Sequence, residues 1–581
     1  MQHETRPETT PAPKGRYDEI RAQLDGWRAN LPDNFYTADT NLRSSLRTWL
    51  GDELAAHEER LANAGADAAT ALNEWAKETN RDENLPHLRR FDGNGNRTEQ
   101  VVFHPAYHDM GRKIYGSGVM SLYGDPGQEM IQLALFYLFA QNGESGHCCP
   151  LACTAGAIKL LMRAGADELK DRFLPRLLDP NYDTHLHACQ FLTELQGGSD
   201  VGANECVAVP QSDGSYRIYG EKWFCSVIDA GLIVLSARPE GAGSGTRGLT
   251  TFVAPRTLPD GSTNDFAIKR LKYKLGTRSM ASAEIDLNGL VAYAVGEPGE
   301  GFKYVVDIVL NTSRVYNAFA SAGLVRRAYM EALAFAKTRT AFGTTIIHFP
   351  LVKRAIAMLR TESAAQIASS LHVTHLAAKI SAGEASETEQ TEFRFLVNAN
   401  KYWTSIRATF AVRQGIEVLG GNGAIEEFTV MPRLLRDSLV FESWEGTHNV
   451  LSQQVLKDMA RYKVHAVAFD QLSSRLDAVT DDEFSERVAA VRSALDKCRA
   501  QADELLAFDP IAAQLHVRTW LDRVMAMWQA ADLLIEAAAE KARGEDTGKL
   551  TVFDYHRRTI LENADTFGNG EIAALEEALS A

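Results

Sequence analysis

Residues 203–300 carry a pattern that the rest of the chain lacks. Tyr216-Arg217-Ile218-Tyr219 follows the turn Ser212-Asp213-Gly214. Leu232-Ile233-Val234-Leu235, Thr250-Thr251-Phe252-Val253 and Ala283-Glu284-Ile285-Asp286-Leu287 come after it. Short, closely spaced runs with turn signals between them predict a β-sandwich or barrel. Helical patterns flank this block on both sides. Residues 15–90 are rich in Ala, Leu, Glu and Arg, 91–98 (FDGNGNRT) read as a loop, and 100–180 return to helix. Beyond 301, residues 313–340, 350–382, 391–418 and 430–461 are helical, and 465–581 add helices interrupted at Asp509-Pro510 and Gly544–Gly548. A sheet set inside a helical chain needs its own core while the helices bundle around another. The predicted fold is mainly α with an inserted β domain. It has a polar, Pro-rich disordered tail over 1–14 and an N-terminal helical domain over 15–184. A middle β domain over 185–300, a four-helix-type domain over 301–461 and an additional helical domain over 462–581 follow.

Composition limits the function classes. The 581 residues are 45% apolar and 24% charged, which excludes collagen-like and wholly disordered chains. With 61 Lys and Arg against 76 Asp and Glu, the net charge of −15 argues against a nucleic-acid partner. Seven cysteines without framework spacing read as reduced thiols. The first residues lack the apolar core of a signal peptide, and Leu579-Ser580-Ala581 is not a peroxisomal address. The longest apolar run, Met130 to Ala140, contains Gln132 and falls short of the roughly 20 residues of a membrane span. A cytoplasmic location without a membrane span is expected.

Five strings could carry chemistry. Gly243-Ser244-Gly245-Thr246-Arg247-Gly248 matches a dinucleotide fingerprint, but strand-like sequence lies on both sides, so a hairpin loop is the better reading. His147-Cys148-Cys149 with Cys153 lacks the second ligand cluster of a structural zinc site, so the thiols read as packing at a helix start after Pro150, and no metal is expected. Thr193-Glu194-Leu195-Gln196-Gly197-Gly198-Ser199-Asp200 offers two hydroxyls and close backbone approach; taken alone it is equally a plain turn. Gly220-Glu221-Lys222-Trp223-Phe224-Cys225-Ser226 suits a flat ring system, although for the isolated string ordinary sheet packing is the better reading. In Trp444-Glu445-Gly446-Thr447-His448-Asn449 a carboxylate follows apolar sequence. Burial there would raise its pKa and suit it to act as a general base, although on this string alone a salt-bridged structural Glu is the better reading.

Taken together and in order, these strings resemble the acyl-CoA dehydrogenase family of flavoproteins. LTELQGGSD resembles the family's TExGxGSD, EKWFCS its K-x-W-I-T/S, and LKYKLGTRSMAS its KLGxRxS. Arg339 to Gly343 resembles R-x-x-F-G, Leu419 to Gly423 the G-G-x-G loop, and Pro432 to Asp437 followed by WEGT the closing segment. The resemblance covers about residues 100–460. KWF-x-S, WEG, the extension beyond 465 and His104-Pro105-Ala106-Tyr107-His108 are most similar to the AidB-type branch.

The resemblance implies FAD, an acyl-CoA substrate, an α–β–α fold assembled as a homotetramer, and an electron-transferring flavoprotein as acceptor. It implies that Thr193 and Ser199 bond the flavin or the acyl thioester, and that Phe224 and Ser226 lie along the isoalloxazine. Arg339, Phe342, Gly420 and Gly421 would reach the FAD of a neighbouring subunit, Thr447 and Asn449 would hold FAD near the base, and Gly446 leaves room for a ligand. Arg314 matches an arginine close to the active site. Three positions depart from the pattern: Glu417 replaces a common Gln, and Pro350 and Lys353 stand where glutamines are usual. Ser313 occupies the place where a minority of members carry their base, which leaves that role to Glu445. The implied reaction is α,β-dehydrogenation: Glu445 takes the α-proton while flavin N5 takes the β-hydrogen as hydride. The enolate-like charge would be held by the Glu445 backbone N–H and a ribityl hydroxyl. Two other classes share these motifs. One is a DNA-associated flavoprotein of the alkylation-response type, which the 14 basic and 22 acidic residues of 461–581 disfavour. The other is a flavin oxidase or monooxygenase on the same fold.

Overall fold

The computed structural model describes residues 16–297, 300–564 and 571–580. The tail expected over 1–14 lies outside them. The N-terminal part is built from α1 (Tyr17–Gly26), α2 (Thr40–Leu50), α3 (Glu58–Ala69), α4 (Ala71–Thr79), α5 (Pro105–Gly116), α6 (Glu129–Ala140), α7 (Ser145–Ala164) and α8 (Asp167–Leu177). Helix α6, the longest apolar run of the sequence, is buried over its whole length. No helix among the described residues is long and apolar enough to cross a membrane.

Two local readings are corrected. The loop near 91–98 joins an antiparallel hairpin, β1 (His87–Phe91) and β2 (Arg97–Val102), where helical sequence was expected. The Asp92 carboxylate accepts from the backbone of Asn94 and Asn96 and closes the turn. The charged string HLRRF lacks the apolar alternation that marks a strand. Helix α7 starts at Ser145 and runs through Pro150, where a start after Pro150 was expected. Proline has no amide hydrogen to donate to Gly146 O, and the Tyr107 hydroxyl donates to that carbonyl instead, at 3.0 Å.

The inserted sheet consists of β3 (Ala188–Phe191), β4 (Val207–Pro210), β5 (Tyr216–Ser226), β6 (Leu232–Pro239), β7 (Thr250–Pro255), β8 (Phe266–Leu271) and β9 (Ser282–Val295). The pairing runs from β6 through β4, β5, β9 and β7 back to β6, so the sheet closes into a barrel. Strand β3 adds in parallel to β6, and β8 adds to β9. Ile218, Leu235, Phe252 and Ile285 fill the interior. Closure gives every ring strand a partner on both sides.

The chain then returns to helices: α9 (Gly301–Tyr304), α10 (Asn311–Thr338), α11 (Pro350–Ala382), α12 (Glu387–Leu419), α13 (Met431–Ser443) and α14 (His448–Tyr462). A small hairpin, β10 (Thr340–Ala341) and β11 (Thr344–Thr345), joins α10 to α11. Local signals set the ends. Pro350 opens α11 and Gly383, left-handed, closes it, while Ser386 and Glu389 form a capping box on α12. The extension comprises α15 (Val464–Asp477), α16 (Ser485–Ala507), α17 (Pro510–Ala542), α18 (Lys549–His556) and α19 (Glu571–Ser580). Asp509 caps α17 through the amides of Ile511 and Ala512, with Pro510 in the first turn. Helix α17 packs against α11 and α14. It buries Trp520, Leu521, Val524 and Trp528, each worth roughly 1.5–3 kcal/mol in apolar transfer.

Candidate active site

The string WEGT is the turn between α13 and α14. Trp444 is extended, Glu445 takes φ +56°, Gly446 takes φ +106°, and Thr447 is the N-cap of α14. Trp444 packs against both the helical core and the barrel core, so the turn sits where the two cores meet. Two cations brace its backbone. Arg314 Nε donates to Glu445 O at 3.1 Å while its Nη1 is held by Asn311 Oδ1 at 2.9 Å. Lys401 Nζ donates to Gly446 O at 2.9 Å and to Glu442 O at 3.2 Å. The Glu445 carboxylate takes a neutral donor, Gln190 Nε2, at 3.0 Å. Burial pushes its pKa up to about 7 against the pull of Arg314 and Lys401. Burial lowers Lys401 to about 7 as well.

The other strings of the barrel meet one another, and β3, which precedes Thr193, carries Gln190 to this turn. Trp223 N donates to Thr193 O at 2.9 Å, which joins the end of β5 to the loop after β3. Beneath them the Lys222–Glu194 pair is buried, 2.7 Å apart, at 0% and 4% side-chain exposure. Gly198 lies against Thr193: a Cβ there would stand 2.5 Å from the Thr193 hydroxyl. Ser199 is exposed beside it. Phe224 keeps half its surface free, with Lys272 Nζ 4.7 Å above its ring. Ser226 Oγ meets Ser282 Oγ at 3.1 Å, and Lys274 Nζ donates to Ser282 Oγ at 3.0 Å. Burial lowers Lys274 to about 8. The KLGTR and PRLLRD strings also meet: Thr277 N donates to Asp437 Oδ1 at 2.6 Å, and burial raises Asp437 to about 6. The loop 243–248 connects antiparallel β6 and β7 as a hairpin. Cys148, Cys149 and Cys153 are buried, and no group of His, Cys, Asp or Glu among the described residues could hold a metal ion.

Four of the expected residues stand elsewhere. Arg339 lies 25 residues along α10 from Arg314, roughly 38 Å at 1.5 Å per residue. Phe342 follows on the β10–β11 hairpin, 98% exposed and at φ +52°. Gly420 and Gly421 begin beyond the far end of α12 from Lys401, with open space around both Cβ positions. Thr447 makes no side-chain cap bond, and Asn449 Oδ1 accepts from Arg518 of α17 at 3.2 Å.

Two residues at the turn escaped the sequence reading. Gln190 is the polar residue of an otherwise apolar strand, and Lys401 is a lysine with 0% exposure within α12. A polar residue set in apolar sequence was the available signal for Gln190. Nothing in one sequence points to a partner 255 positions away.

Comparisons with known proteins agree with this fold. Residues 299–460 match the acyl-CoA dehydrogenase C-terminal domain, 189–290 the acyl-CoA dehydrogenase middle domain, and 29–184 the N-terminal domain of the adaptive response protein AidB. AidB of Escherichia coli (strain K12) is 33% identical over 73% of this chain and 77% of its own. The crystal structure of Caenorhabditis elegans ACDH-11 in complex with C11-CoA superposes with a TM-score of 0.82 at 26% identity, covering 90% of each chain. An acyl-CoA dehydrogenase from Bacillus anthracis complexed with FAD shares the fold at 17% identity and a TM-score of 0.68, over 95% of this chain and 90% of that one. The chain belongs to the acyl-CoA dehydrogenase family of FAD-dependent oxidoreductases, in the branch that carries an AidB-type N-terminal domain.

Proposed function

We propose that this protein removes the α-proton and β-hydrogen of an acyl-CoA thioester to give the trans-2-enoyl-CoA, with Glu445 as base. The observation that carries this reading is the carboxylate of Glu445. It is half-buried, bonded to a neutral amide, and raised by burial to about 7. Such a group takes up a proton readily near neutral pH. The chain's surfaces fit FAD: Phe224 offers an open aromatic face, Ser226 a hydroxyl beside it, and Thr193 a hydroxyl kept clear by Gly198. FAD, when bound, supplies the acceptor for the β-hydrogen and its two electrons.

Glu445 takes the α-proton while its own backbone N–H stabilises charge on the thioester oxygen, an interaction that strengthens when bound substrate excludes water. Arg314 and Lys401 hold the turn through its carbonyls and so keep the carboxylate in place. Ser199 and Arg314 are the groups we assign to the substrate. We assign Thr193, Phe224, Ser226, Gly446, Thr447 and Asn449 to the cofactor. The separation of Arg339, Phe342, Gly420 and Gly421 from this turn supports their serving a neighbouring subunit of a homotetramer. An electron-transferring flavoprotein is the acceptor that fits this reaction.

The test is anaerobic titration of the purified protein with acyl-CoAs of graded chain length. Bleaching of the flavin band by one length class is the expected result. A flavin band that no acyl-CoA bleaches would overturn the reading.

A further inference from the structure

We propose that Gln190 is the positioning residue of the base: its side-chain amide nitrogen, shared between Glu445 Oε1 and Ser313 Oγ, fixes the carboxylate in one orientation without neutralising it. The inference rests on Glu445 being that base.

Gln190 sits in β3 between Cys189 and Phe191, both buried in the barrel core, and faces Val234 across the parallel pairing with β6. A side chain carried on a packed strand is held more tightly than one on a loop. Its Nε2 reaches Glu445 Oε1 at 3.0 Å and Ser313 Oγ at 3.1 Å, so both amide hydrogens are used. The opposite amide orientation would set a carbonyl oxygen against a carboxylate, two acceptors face to face. Gln190 thereby links the base to the position on α10 where a base could otherwise have stood.

The other groups around Glu445 do not do this. Arg314 on α10 bonds to the carbonyl of 445 and to Asn311 Oδ1, and Lys401 on α12 to the carbonyls of 446 and 442. Cys153 on α7 is a buried thiol raised well above its ordinary pKa and stays neutral. Among the described residues Gln190 is the side-chain donor to this carboxylate. A cation in its place would hold the carboxyl low and weaken it as a base. No partner at all would let the side chain turn among rotamers and lose the reactive geometry.

The experiment uses the FAD-loaded protein and three variants: Gln190→Leu, Glu445→Gln and the double substitution. We expect Gln190→Leu to retain FAD and substrate KM, to lower kcat about 10–100-fold, and to move the acidic limb of kcat/KM upward by roughly one pH unit, because the ionised carboxylate loses a donor. A second readout needs no turnover. An acyl-CoA with sulfur in place of its β-carbon can lose the α-proton but has no β-hydrogen to transfer. The pH at which its long-wavelength band with the flavin develops should move by the same amount. In the Glu445→Gln background, Gln190→Leu should cause no further loss. An unmoved pH limb and band in Gln190→Leu, or an equal loss in the Glu445→Gln background, would overturn the proposal. If Gln190→Leu does not fold, Gln190→Asn, one methylene too short to span both partners, should give the same direction of shift, and an unshifted Gln190→Asn would overturn it equally. Normal turnover by Glu445→Gln would instead sink the base assignment, so the two failures are distinct.

Discussion

Glu194 is buried and Glu445 half-buried, and the fold treats the two carboxylates in opposite ways. Glu194 faces Lys222 Nζ at 2.7 Å and accepts from the backbone of Glu205 and Cys206 and from Gln196. Burial opposes its ionisation, but Lys222 and these donors together hold it below the usual carboxylate range. Glu445 also has cations nearby, yet they bond to carbonyl oxygens and leave it a single neutral amide. Its carboxyl rises to about 7. A cation near a carboxylate is therefore no guide to its role. What decides is which atom receives the hydrogen bonds: a saturated carboxylate is structural, and an unsaturated one keeps its basicity.

The strongest way to break this contrast is Glu445→Gln. It should retain FAD and lose turnover by about 10²–10⁴-fold, the usual contribution of a general base, read by steady-state kinetics. On the other side, Glu194→Ala leaves the Lys222 ammonium buried and unpaired. We expect a loss of roughly 3–5 kcal/mol in denaturant unfolding, and partial recovery when Lys222→Met is added. The pH dependence sharpens the comparison. Glu445 binds its proton more tightly folded than unfolded, so its contribution to stability is complete below its ordinary pKa of 4.5 and is lost as pH rises through about 7. Glu445→Gln should therefore match the parent at pH 4 and exceed it by roughly 1–3 kcal/mol at pH 8. The smallest effect is a neutral version of the same contrast. Tyr107→Phe leaves Gly146 O without its donor beside Pro150, which should cost about 1–2 kcal/mol in the same unfolding assay.

Much of the architecture was legible because it depends on local pattern. The strand-like runs at 216–219, 232–235, 250–253 and 283–287 fall in β5, β6, β7 and β9, and Asp509-Pro510 marks the start of α17. Closure of the barrel was not legible. It requires β6 to meet β4 on one side and β7 on the other, and one sequence carries no information on which strands pair. The β1–β2 hairpin was hidden because its strands are charged. In the site, the turn at Glu445 could be read from its own residues. Of the residues that touch it, Arg314 was legible only through the family resemblance, and Gln190 and Lys401 were not, since they come from elements far apart in the chain.

The backbone at Glu445 carries a consequence for how this molecule would respond to selection. At φ +56°, beside Gly446 at φ +106°, the position suits glycine, and any other residue there forfeits about a kilocalorie per mole. Burial of an ionised carboxylate adds to that deficit. A library sorted only for heat resistance should thus be drawn to position 445 early, with Gly and Gln among the survivors. Heat tolerance and turnover would then part company at a single codon.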